Sequence, residues 1–318
     1  MMLVGIKRIP RETTVAVLMG GWSAEREVSL ASGEACTFAL KKAGFNVVPI
    51  DVRAETIHAV LQDLKPDVAF NALHGKWGED GMASALLETL KIPYTHSGVL
   101  ASAVAMHKEK SKAIFRAAGI PVADSLLAEL DVVASRHVMS GSYVVKPVDE
   151  GSSVGVYIVD SNRNSPPAEI LEKREIFGDK AMVERFIPGK ELTCAVMGDV
   201  ALGVIEIIAD AGEFYDYKSK YAPGGSRHVL PADIPREIYR KCQQYSLMAH
   251  QALGCRGVSR ADFRLDDSPN RQPELILLEV NTQPGMTGTS LVPELAAHAG
   301  HPFEELVTWM VNDASLNR

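Results

Sequence analysis

The most informative part of this sequence is a pair of strand-like stretches, Val258-Ser-Arg-Ala-Asp-Phe-Arg-Leu265 and Glu274-Leu-Ile-Leu-Leu-Glu-Val-Asn281. Residues 275–278 are apolar at consecutive positions, which predicts a strand buried on both faces. The turn-forming residues 266–273 predict that the two strands pair as a hairpin. A carboxylate buried there without a partner would cost several kcal/mol, so something must compensate the acidic residues.

Side chains two residues apart in a strand share a face, so Glu279 lies beside Asn281 and Arg260 beside Asp262. Two carboxylates and an amide oxygen on one surface suit Mg²⁺ that also binds phosphate oxygens, because Mg²⁺ keeps several ligand positions for water and substrate. The alternative is an ordinary hairpin whose acids pair with Arg260 and Arg264. The spacing of these residues does not decide between the two.

Composition favours a protein of two or three globular domains: 318 residues, 46% hydrophobic and 23% charged. A net charge of −7 gives no global basic field for nucleic acid or acidic membranes, and no apolar run is long enough to span a bilayer. Residues 1–12 do not resemble a signal peptide, so we expect a cytoplasmic protein. The cysteines have no metal-ligand spacing and are interpreted as reduced small hydrophobes: Cys36, Cys194, Cys242 and Cys255.

The first third alternates strand and helix signals, which predicts a parallel sheet with its ligand face at the C-terminal ends of the strands. The predicted elements are strands at 14–19, 46–50 and 67–72 and a helix at 27–43. Two glycine-containing loops follow the strands, at 20–29 and 74–81. Glycines let the backbone approach a ligand, and Ser23 or Ser29 could cap the following helix. Such glycines could equally shape a turn alone, and a single His74 is more often solvated than catalytic.

In the middle of the chain, a helix predicted at 108–118 precedes two strands that flank the loop Glu150-Gly-Ser-Ser-Val-Gly155. Backbone amides and hydroxyls of this loop can surround polyphosphate oxygens, and Lys146 at the strand end adds a positive charge. The loop is not a Walker A motif. A hairpin turn without a ligand is the alternative.

Further on, the turn Ile187-Pro-Gly189 predicts a domain boundary. The segment 213–231 contains several aromatic residues, two lysines and then Pro and Gly, and we expect a long loop able to fold over a site.

In combination, these segments resemble the ATP-grasp carboxylate-amine ligases, and within them the D-alanine:D-alanine ligases. Five motifs carry the resemblance, in the order found in that family: Gly20-Gly-x-Ser-Ala-Glu-Arg-Glu-Val-Ser29, His74-Gly-x-x-Gly-Glu-Asp-Gly81, Glu150-Gly-Ser-Ser-Val-Gly155, Tyr215-Asp-Tyr-x-x-Lys-Tyr221 and Glu279-x-Asn-Thr-x-Pro-Gly-Met-Thr287. The resemblance extends from about Val15 to Val307.

The resemblance implies an α/β chain with a three-domain ATP-grasp fold, in which an N-terminal Rossmann-like domain is followed by two α+β domains that clasp ATP. The implied divisions are an N-terminal substrate-binding domain at 1–96, a central domain at 97–187 and a catalytic domain at 188–318 with a lid at 213–231. It also implies ATP as a substrate, Mg²⁺ or Mn²⁺ as two ions, and a homodimer. No nucleic acid or membrane partner is expected.

The implied reaction joins two D-alanines for a peptidoglycan precursor through an acyl phosphate, which the amine of the second D-alanine attacks. Residues implied to bind ATP are Lys108, Lys146, Ser153 and Lys220 at the phosphates, Glu184 and Glu191 at the adenosine, and Phe186 and Ile187. Implied metal ligands are Asp262, Glu279 and Asn281. Implied catalytic and substrate residues are Arg260 and the Gly285 amide at the oxyanion, Glu25 at the first ammonium, Ser152 and Tyr221 as links to the lid, and His74, Ser290 and Leu291 at the substrates.

Two positions depart from the family pattern: His107 stands where Asp is usual and Gln283 where Ser is usual. The first could alter the orientation of Lys108. Two alternative functions stay open. One is a ligase that uses D-lactate or another second substrate, although Tyr221 favours an amine because depsipeptide-forming relatives tend to carry Phe there. The other is a noncatalytic nucleotide-binding regulator. The presence of Arg260, Asp262, Glu279 and Asn281 argues against it.

Overall fold

The structure, a computed structural model, describes residues 7–151, 155–160, 162, 166–209 and 226–318. In this part of the chain the strands form three sheets. The first is parallel, with the order β2-β1-β3, and contains β1 (Thr14–Gly20), β2 (Asn46–Val52) and β3 (Val68–Asn71). A short 3-10 helix (Pro10–Glu12) precedes it, and its helices are α1 (Arg26–Lys42), α2 (Ile57–Leu64) and α3 (Met82–Thr89). The predicted strand-helix alternation and parallel sheet are confirmed.

The expected capping of α1 by a serine is wrong. The residue before the helix is Glu25, and its side chain forms no capping hydrogen bond. Ser29 Oγ accepts from the Gly20 amide and donates to the Ala72 carbonyl, each at 2.8 Å, so it fastens the loop to the sheet. Ser23 Oγ donates to the His74 carbonyl at 2.6 Å. Both hydroxyls therefore join the two loops at the C-terminal ends of the strands.

The second sheet is antiparallel and has the order β4-β7-β5-β6. Its strands are β4 (Ser125–Glu129), β5 (Tyr143–Lys146), β6 (Tyr157–Val159) and β7 (Lys180–Arg185), and it is accompanied by α6 (Leu130–Ser135), a 3-10 helix (Ala168–Lys173) and α7 (Arg174–Phe177). β5 and β6 pair directly, so two strands do flank the Gly/Ser-rich loop as predicted.

The third sheet is antiparallel, with the order β10-β9-β8-β11-β12. Its strands are β8 (Lys190–Met197), β9 (Val200–Ala209), β10 (Ser226–Val229), β11 (Val258–Asp266) and β12 (Glu274–Asn281). One apolar core joins it to α4 (Val99–Met106), α5 (Lys108–Ala117) and α8 (Arg236–Leu253). Another joins it to α9 (Leu291–His298), α10 (Phe303–Asp313) and the parallel sheet.

The predicted α/β class is confirmed, with a parallel sheet at the N-terminal end and antiparallel sheets after it. The division at residues 97 and 188 stays a prediction; α4 and α5, inside the expected central domain, pack against the third sheet. All four cysteines are buried and free. Within the described ranges, no helix is both long and apolar enough to cross a membrane.

Candidate active site

The acidic strand pair forms one wall of the main cleft. β11 and β12 are antiparallel, as predicted, with Arg260 opposite Asn281 and Asp262 opposite Glu279. The register shifts at a bulge after Asp262. All four side chains line the same cleft, so the structure brings together the set that the sequence placed on one surface.

Asp262 has strong partners within the wall. Its carboxylate accepts from Arg260 Nη2 at 2.7 Å and from Thr193 Oγ1 at 2.5 Å. The ordinary-hairpin alternative therefore describes Asp262 correctly. The same contact fixes the orientation of Arg260, because its guanidinium cannot rotate without breaking the bidentate hydrogen bonds to Asp262.

Glu279 departs from that alternative. Its Oε2 lies 3.5 Å from Lys108 Nζ, which comes from α5 across the cleft. Arg264, the other arginine that the alternative invoked, lies 3.4 Å from Glu191 and donates to the Ile187 carbonyl at 3.1 Å. Asp262 thus pairs within the wall, whereas Glu279 faces a group from across the cleft.

The oxygen donors of the wall fit a hard cation. In the described part of the chain, no three His, Cys, Asp or Glu side chains are grouped so that they could hold a metal ion on their own. The wall supplies two carboxylates, from Asp262 and Glu279, and one neutral donor, the amide oxygen of Asn281. That oxygen also accepts a hydrogen bond from the backbone amide of Gln283 at 2.8 Å. Such a set suits Mg²⁺ or Mn²⁺ that completes its coordination with phosphate oxygens and water.

A second cavity continues from this cleft, and the residues that line both are Lys108, Glu150, Gly151, Glu191, Asp262 and Glu279. Its remaining walls combine apolar side chains with charged groups. The residues with assigned ATP roles that line it are Lys108, Lys146, Glu184, Phe186, Ile187 and Glu191. The apolar Val144, Val156 and Leu278 line it as well, which gives a flat ring an apolar environment.

Glu184 lies at the buried end of the second cavity, with 2% of its surface exposed. One carboxylate oxygen pairs with Lys112 and the other with Lys146. Burial acts to raise the pKa of Glu184, but the two ammonium groups prevail and lower it below its ordinary value. The carboxylate is therefore ionised at neutral pH.

Lys108 lies where the two cavities meet. Its ammonium group donates to the Glu150 carbonyl at 2.5 Å, at the start of the Gly/Ser-rich loop. The Glu150 carboxylate lies 2.5 Å from Lys76 Nζ, in the loop after β3. These contacts connect the parallel sheet, α5 and the Gly/Ser-rich loop around one point of the cleft.

The main cleft is also lined by the residues assigned to the substrates and the oxyanion, which are Glu25, His74, Gly285, Ser290 and Leu291. Glu25 and His74 are buried, with 7% and 4% exposed. A Cβ at Gly285 would lie 2.9 Å from Ser290 Oγ, so the turn passes close to the Ser290 side chain. The structure thus places the expected oxyanion donor directly beside Ser290.

Sequence reasoning missed two residues that hold His74. The imidazole lies 3.1 Å from Glu79 Oε1 through Nδ1 and 3.0 Å from Ser32 Oγ through Nε2. An ionised Glu79 carboxylate can only accept, so Nδ1 donates to it, and in the neutral imidazole Nε2 then accepts from Ser32 Oγ. Ser32 Oγ in turn accepts from the Met286 amide at 3.2 Å. Glu79 was recognisable as an acid in the same loop as His74, whereas Ser32 was visible only as a small residue on the buried face of α1.

The remaining assigned residues, Ser152, Ser153, Lys220 and Tyr221, lie outside the described residues, as does most of the expected lid. Its end, at 226–231, begins with β10.

Both departures from the family pattern have a structural account. His107 caps α5, because its Nδ1 accepts from the Lys110 amide at 3.4 Å, while the Lys108 amide donates to the Val148 carbonyl at 2.9 Å. Lys108 therefore points into the cleft with His107 before it. Gln283 is 4% exposed, accepts from Asn71 Nδ2 at 2.6 Å and donates to the Leu73 carbonyl, so it ties β12 to the parallel sheet.

The fold and the two joined cavities define an ATP-grasp ligase. The structure is similar to that of D-alanine–D-alanine ligase from Bacillus anthracis complexed with ATP, with a TM-score of 0.77, 31% identity, and coverage of 95% of this chain and 96% of that chain. VanG D-Ala:D-Ser ligase from Enterococcus faecalis is also similar, with a TM-score of 0.74, 28% identity, and coverage of 94% of this chain and 98% of that chain.

Sequence comparison then gives the family. The family model described as D-ala D-ala ligase C-terminus matches residues 114–312. D-alanine–D-alanine ligase from Parvibaculum lavamentivorans is 61% identical over 304 residues, which cover 96% of this chain and 98% of that protein. The enzyme of the same name from Methylorubrum populi is 59% identical and covered to 99%. This chain therefore belongs to the D-alanine–D-alanine ligase family.

Proposed function

We propose that this chain joins two D-alanine molecules into D-alanyl-D-alanine with ATP as the energy source, for synthesis of a peptidoglycan precursor. One observation supports this most strongly: the cavity that contains Glu184 and Lys146 opens directly into the cleft that contains Glu25, Arg260 and the Gly285 turn. A nucleotide and two small amino acids can thus meet at the acidic wall.

The first chemical step is activation of a carboxylate, which is a poor electrophile. The carboxylate of the first D-alanine attacks the γ-phosphorus of ATP, so that ADP leaves and an acyl phosphate forms. Lys108 and Lys146 border the path of the phosphates and offset the charge that spreads over the transferring group. Glu25, a buried residue that lines the main cleft, would bind the ammonium group of this substrate.

In the second step, the neutral amine of the second D-alanine attacks the acyl carbon, loses a proton and expels phosphate. Arg260 and the Gly285 amide would stabilise the oxyanion, with each such donor contributing roughly 3 to 4 kcal/mol in comparable sites. Ser290 and Leu291 would hold the carboxylate of this substrate at the start of α9. His74, fixed by Glu79 and Ser32, would border the substrates.

A divalent cation belongs to the proposal. Asp262, Glu279 and Asn281 would hold Mg²⁺ or Mn²⁺, as two ions, and the metal would supply charge neutralisation at the phosphates. Ser152, Ser153, Lys220 and Tyr221, with a lid at 213–231, complete the proposed site. The division into domains at 1–96, 97–187 and 188–318, a homodimer and a cytoplasmic location are also proposed, and light scattering on the purified protein tests the dimer.

The direct test incubates the purified chain with ATP, Mg²⁺ and D-alanine, and measures phosphate release and the dipeptide by mass spectrometry. We expect one phosphate per D-alanyl-D-alanine, with L-alanine as an inactive control. ATP binding without phosphate release would favour the noncatalytic regulator instead.

A second candidate is a ligase that prefers another acceptor, because the fold is also similar to that of a D-Ala:D-Ser ligase. Competition among D-alanine, D-serine and D-lactate separates these possibilities. We expect the D-alanine dipeptide to dominate, and Tyr221→Phe to raise the share of D-lactate product because it removes a hydroxyl but keeps the ring. An unchanged product ratio would contradict the role of Tyr221.

A further inference from the structure

Lys112 is a fully buried lysine that the proposed reaction does not use. It lies four residues after Lys108 on α5, so the two side chains leave the helix on the same face. Lys108 lines both cavities, whereas Lys112 has no exposed surface and lines neither of them. The helix thus supplies one ammonium group to the cleft and a second one behind its wall.

The partner of Lys112 is Glu184, the carboxylate at the buried end of the second cavity, which is the proposed nucleotide cavity. Lys112 pairs with Oε1 of Glu184, and Lys146, on β5, pairs with Oε2. Lys146 differs from Lys112 in position, because it lines the nucleotide cavity and can reach a bound ligand. Glu184 is therefore held from behind by one lysine and from the cavity side by the other.

This cluster has an excess positive charge, since two ammonium groups surround one carboxylate. An uncompensated charge away from water is costly, so the cluster favours arrival of an anion on its open side. A phosphate group of ATP is such an anion, and of the two lysines that hold Glu184, Lys146 is the one that lines the cavity and can pair with it. When Lys146 turns to the phosphate, Glu184 loses one of its two countercharges, and Lys112 is the one that remains.

We propose that Lys112 is a positioning residue for the nucleotide: it keeps the Glu184 carboxylate charged and in place, so that Lys146 can exchange Glu184 for a phosphate group of ATP. The inference rests on the proposed function, because it takes ATP as the ligand. It deepens that function because Glu184 then has to meet two conditions. Its carboxylate must stay fixed to bind the adenosine, and its ion pair with Lys146 must be able to break when Lys146 binds a phosphate group.

The charged groups that face Lys112 are Glu184 on β7, Lys146 on β5 and Arg116 on its own helix. Burial, together with these two cations, lowers the pKa of Lys112 to about 8 in spite of Glu184. The ammonium charge is therefore present at neutral pH and is lost in mildly alkaline solution, which gives the proposal a readout besides activity.

The experiment measures the Kd for Mg-ATP by calorimetry, and KM and kcat with D-alanine, for wild type, Lys112→Met, Lys112→Arg and Lys110→Met. Lys110 is the matched control, because it lies on the same helix with an exposed ammonium group. We expect Lys112→Met to raise Kd and the KM for ATP by about tenfold or more, the size of effect that loss of the partner behind a ligating side chain has in metal sites. The kcat at saturating ATP should stay within about threefold of wild type, and Lys112→Arg and Lys110→Met should bind like wild type.

A pH series needs only wild type and Lys112→Arg, so it remains decisive if Lys112→Met does not fold. Wild type should lose ATP affinity as the pH rises through about 8, while Lys112→Arg keeps it, because a guanidinium stays charged. Equal pH profiles, or a Lys112→Met variant that is less stable but binds ATP normally, would overturn the inference. Wild type that neither binds ATP nor forms dipeptide would overturn the proposed function itself.

Discussion

Glu184 and Glu279 are carboxylates that both line the second cavity, yet their surroundings are opposite. Glu184, on β7, is 2% exposed and pairs with two lysines. The Glu279 side chain, on β12, is 30% exposed and lies 3.5 Å from Lys108. The first is compensated when the chain folds, whereas the second has room for a further cation.

The difference indicates that the two carboxylates have different roles, one in ligand recognition and the other in the reaction. A carboxylate that is buried between two ammonium groups is fixed in position and charge, which suits recognition of an unchanging part of a ligand such as a nucleoside. A carboxylate at an open wall can exchange partners, which suits groups whose charge changes during a reaction. Substitutions at the two positions should therefore affect different properties.

The largest expected effect is on stability at the buried carboxylate. Glu184→Gln leaves Lys112 and Lys146 without a countercharge and should lower the free energy of unfolding by about 3 to 5 kcal/mol. Glu279→Gln should lower it by less than about 1 kcal/mol. Urea denaturation of both variants measures this, and equal losses would remove the contrast between the two carboxylates.

The next effect concerns turnover at the open wall. Glu279→Gln removes one anionic ligand of the proposed cation and should reduce kcat by more than about 100-fold. Loss of a residue that only supports a metal ligand costs up to about 100-fold, and loss of the ligand itself should cost more. Glu274→Gln, at the other end of the same strand, is the matched control and should keep near-wild-type kcat. Near-normal turnover of Glu279→Gln at limiting Mg²⁺ would refute the metal assignment.

A moderate effect is expected where the open wall is anchored. Gln283→Ser removes the buried hydrogen bonds to Asn71 and to the Leu73 carbonyl, and should cost about 1 to 3 kcal/mol of stability. The exposed Gln272→Ser is the control. If Gln283→Ser unfolds like wild type, the wall does not depend on this anchor.

The last effect, small within any one pH unit, is a pH dependence at the buried end. With a folded pKa of about 8 against 10.5 for the ordinary side chain, Lys112 releases its proton earlier in the folded chain than in the unfolded chain. Between these values the unfolded state binds more protons, so wild type should gain stability with rising pH relative to Lys112→Arg, by at most about 1.4 kcal/mol per pH unit. Parallel stability curves for the two proteins from pH 7 to 10 would contradict this.

The open wall could be predicted from the sequence because its geometry is local. Asp262 and Glu279 lie in adjacent strands joined by a short turn, and period-two alternation fixes which side chains share a face. The alternation of strand and helix signals likewise predicted the parallel sheet and the loops at the strand ends. These features depend on residues that are close in the chain.

The buried end could not be predicted in the same way. Lys112 lies 72 residues from Glu184, and Lys146 lies 38 residues from it, so their meeting depends on how α5, β5 and β7 pack. From the sequence, Lys112 is only one of several lysines on an amphipathic helix. The partnership of His74 with Ser32, 42 residues away, was hidden for the same reason.

The most direct test compares the buried Glu184 end of the second cavity with the wall formed by β11 and β12. ATP is titrated by calorimetry into wild type and Glu279→Gln without divalent metal, and the turnover of each protein is measured in Mg²⁺. Since the buried end is intact in this variant, we predict that Glu279→Gln binds ATP at least as tightly as wild type while its turnover is lost. A loss of ATP affinity as large as the loss of turnover would contradict the account, because nucleotide binding and catalysis would then depend on the same wall.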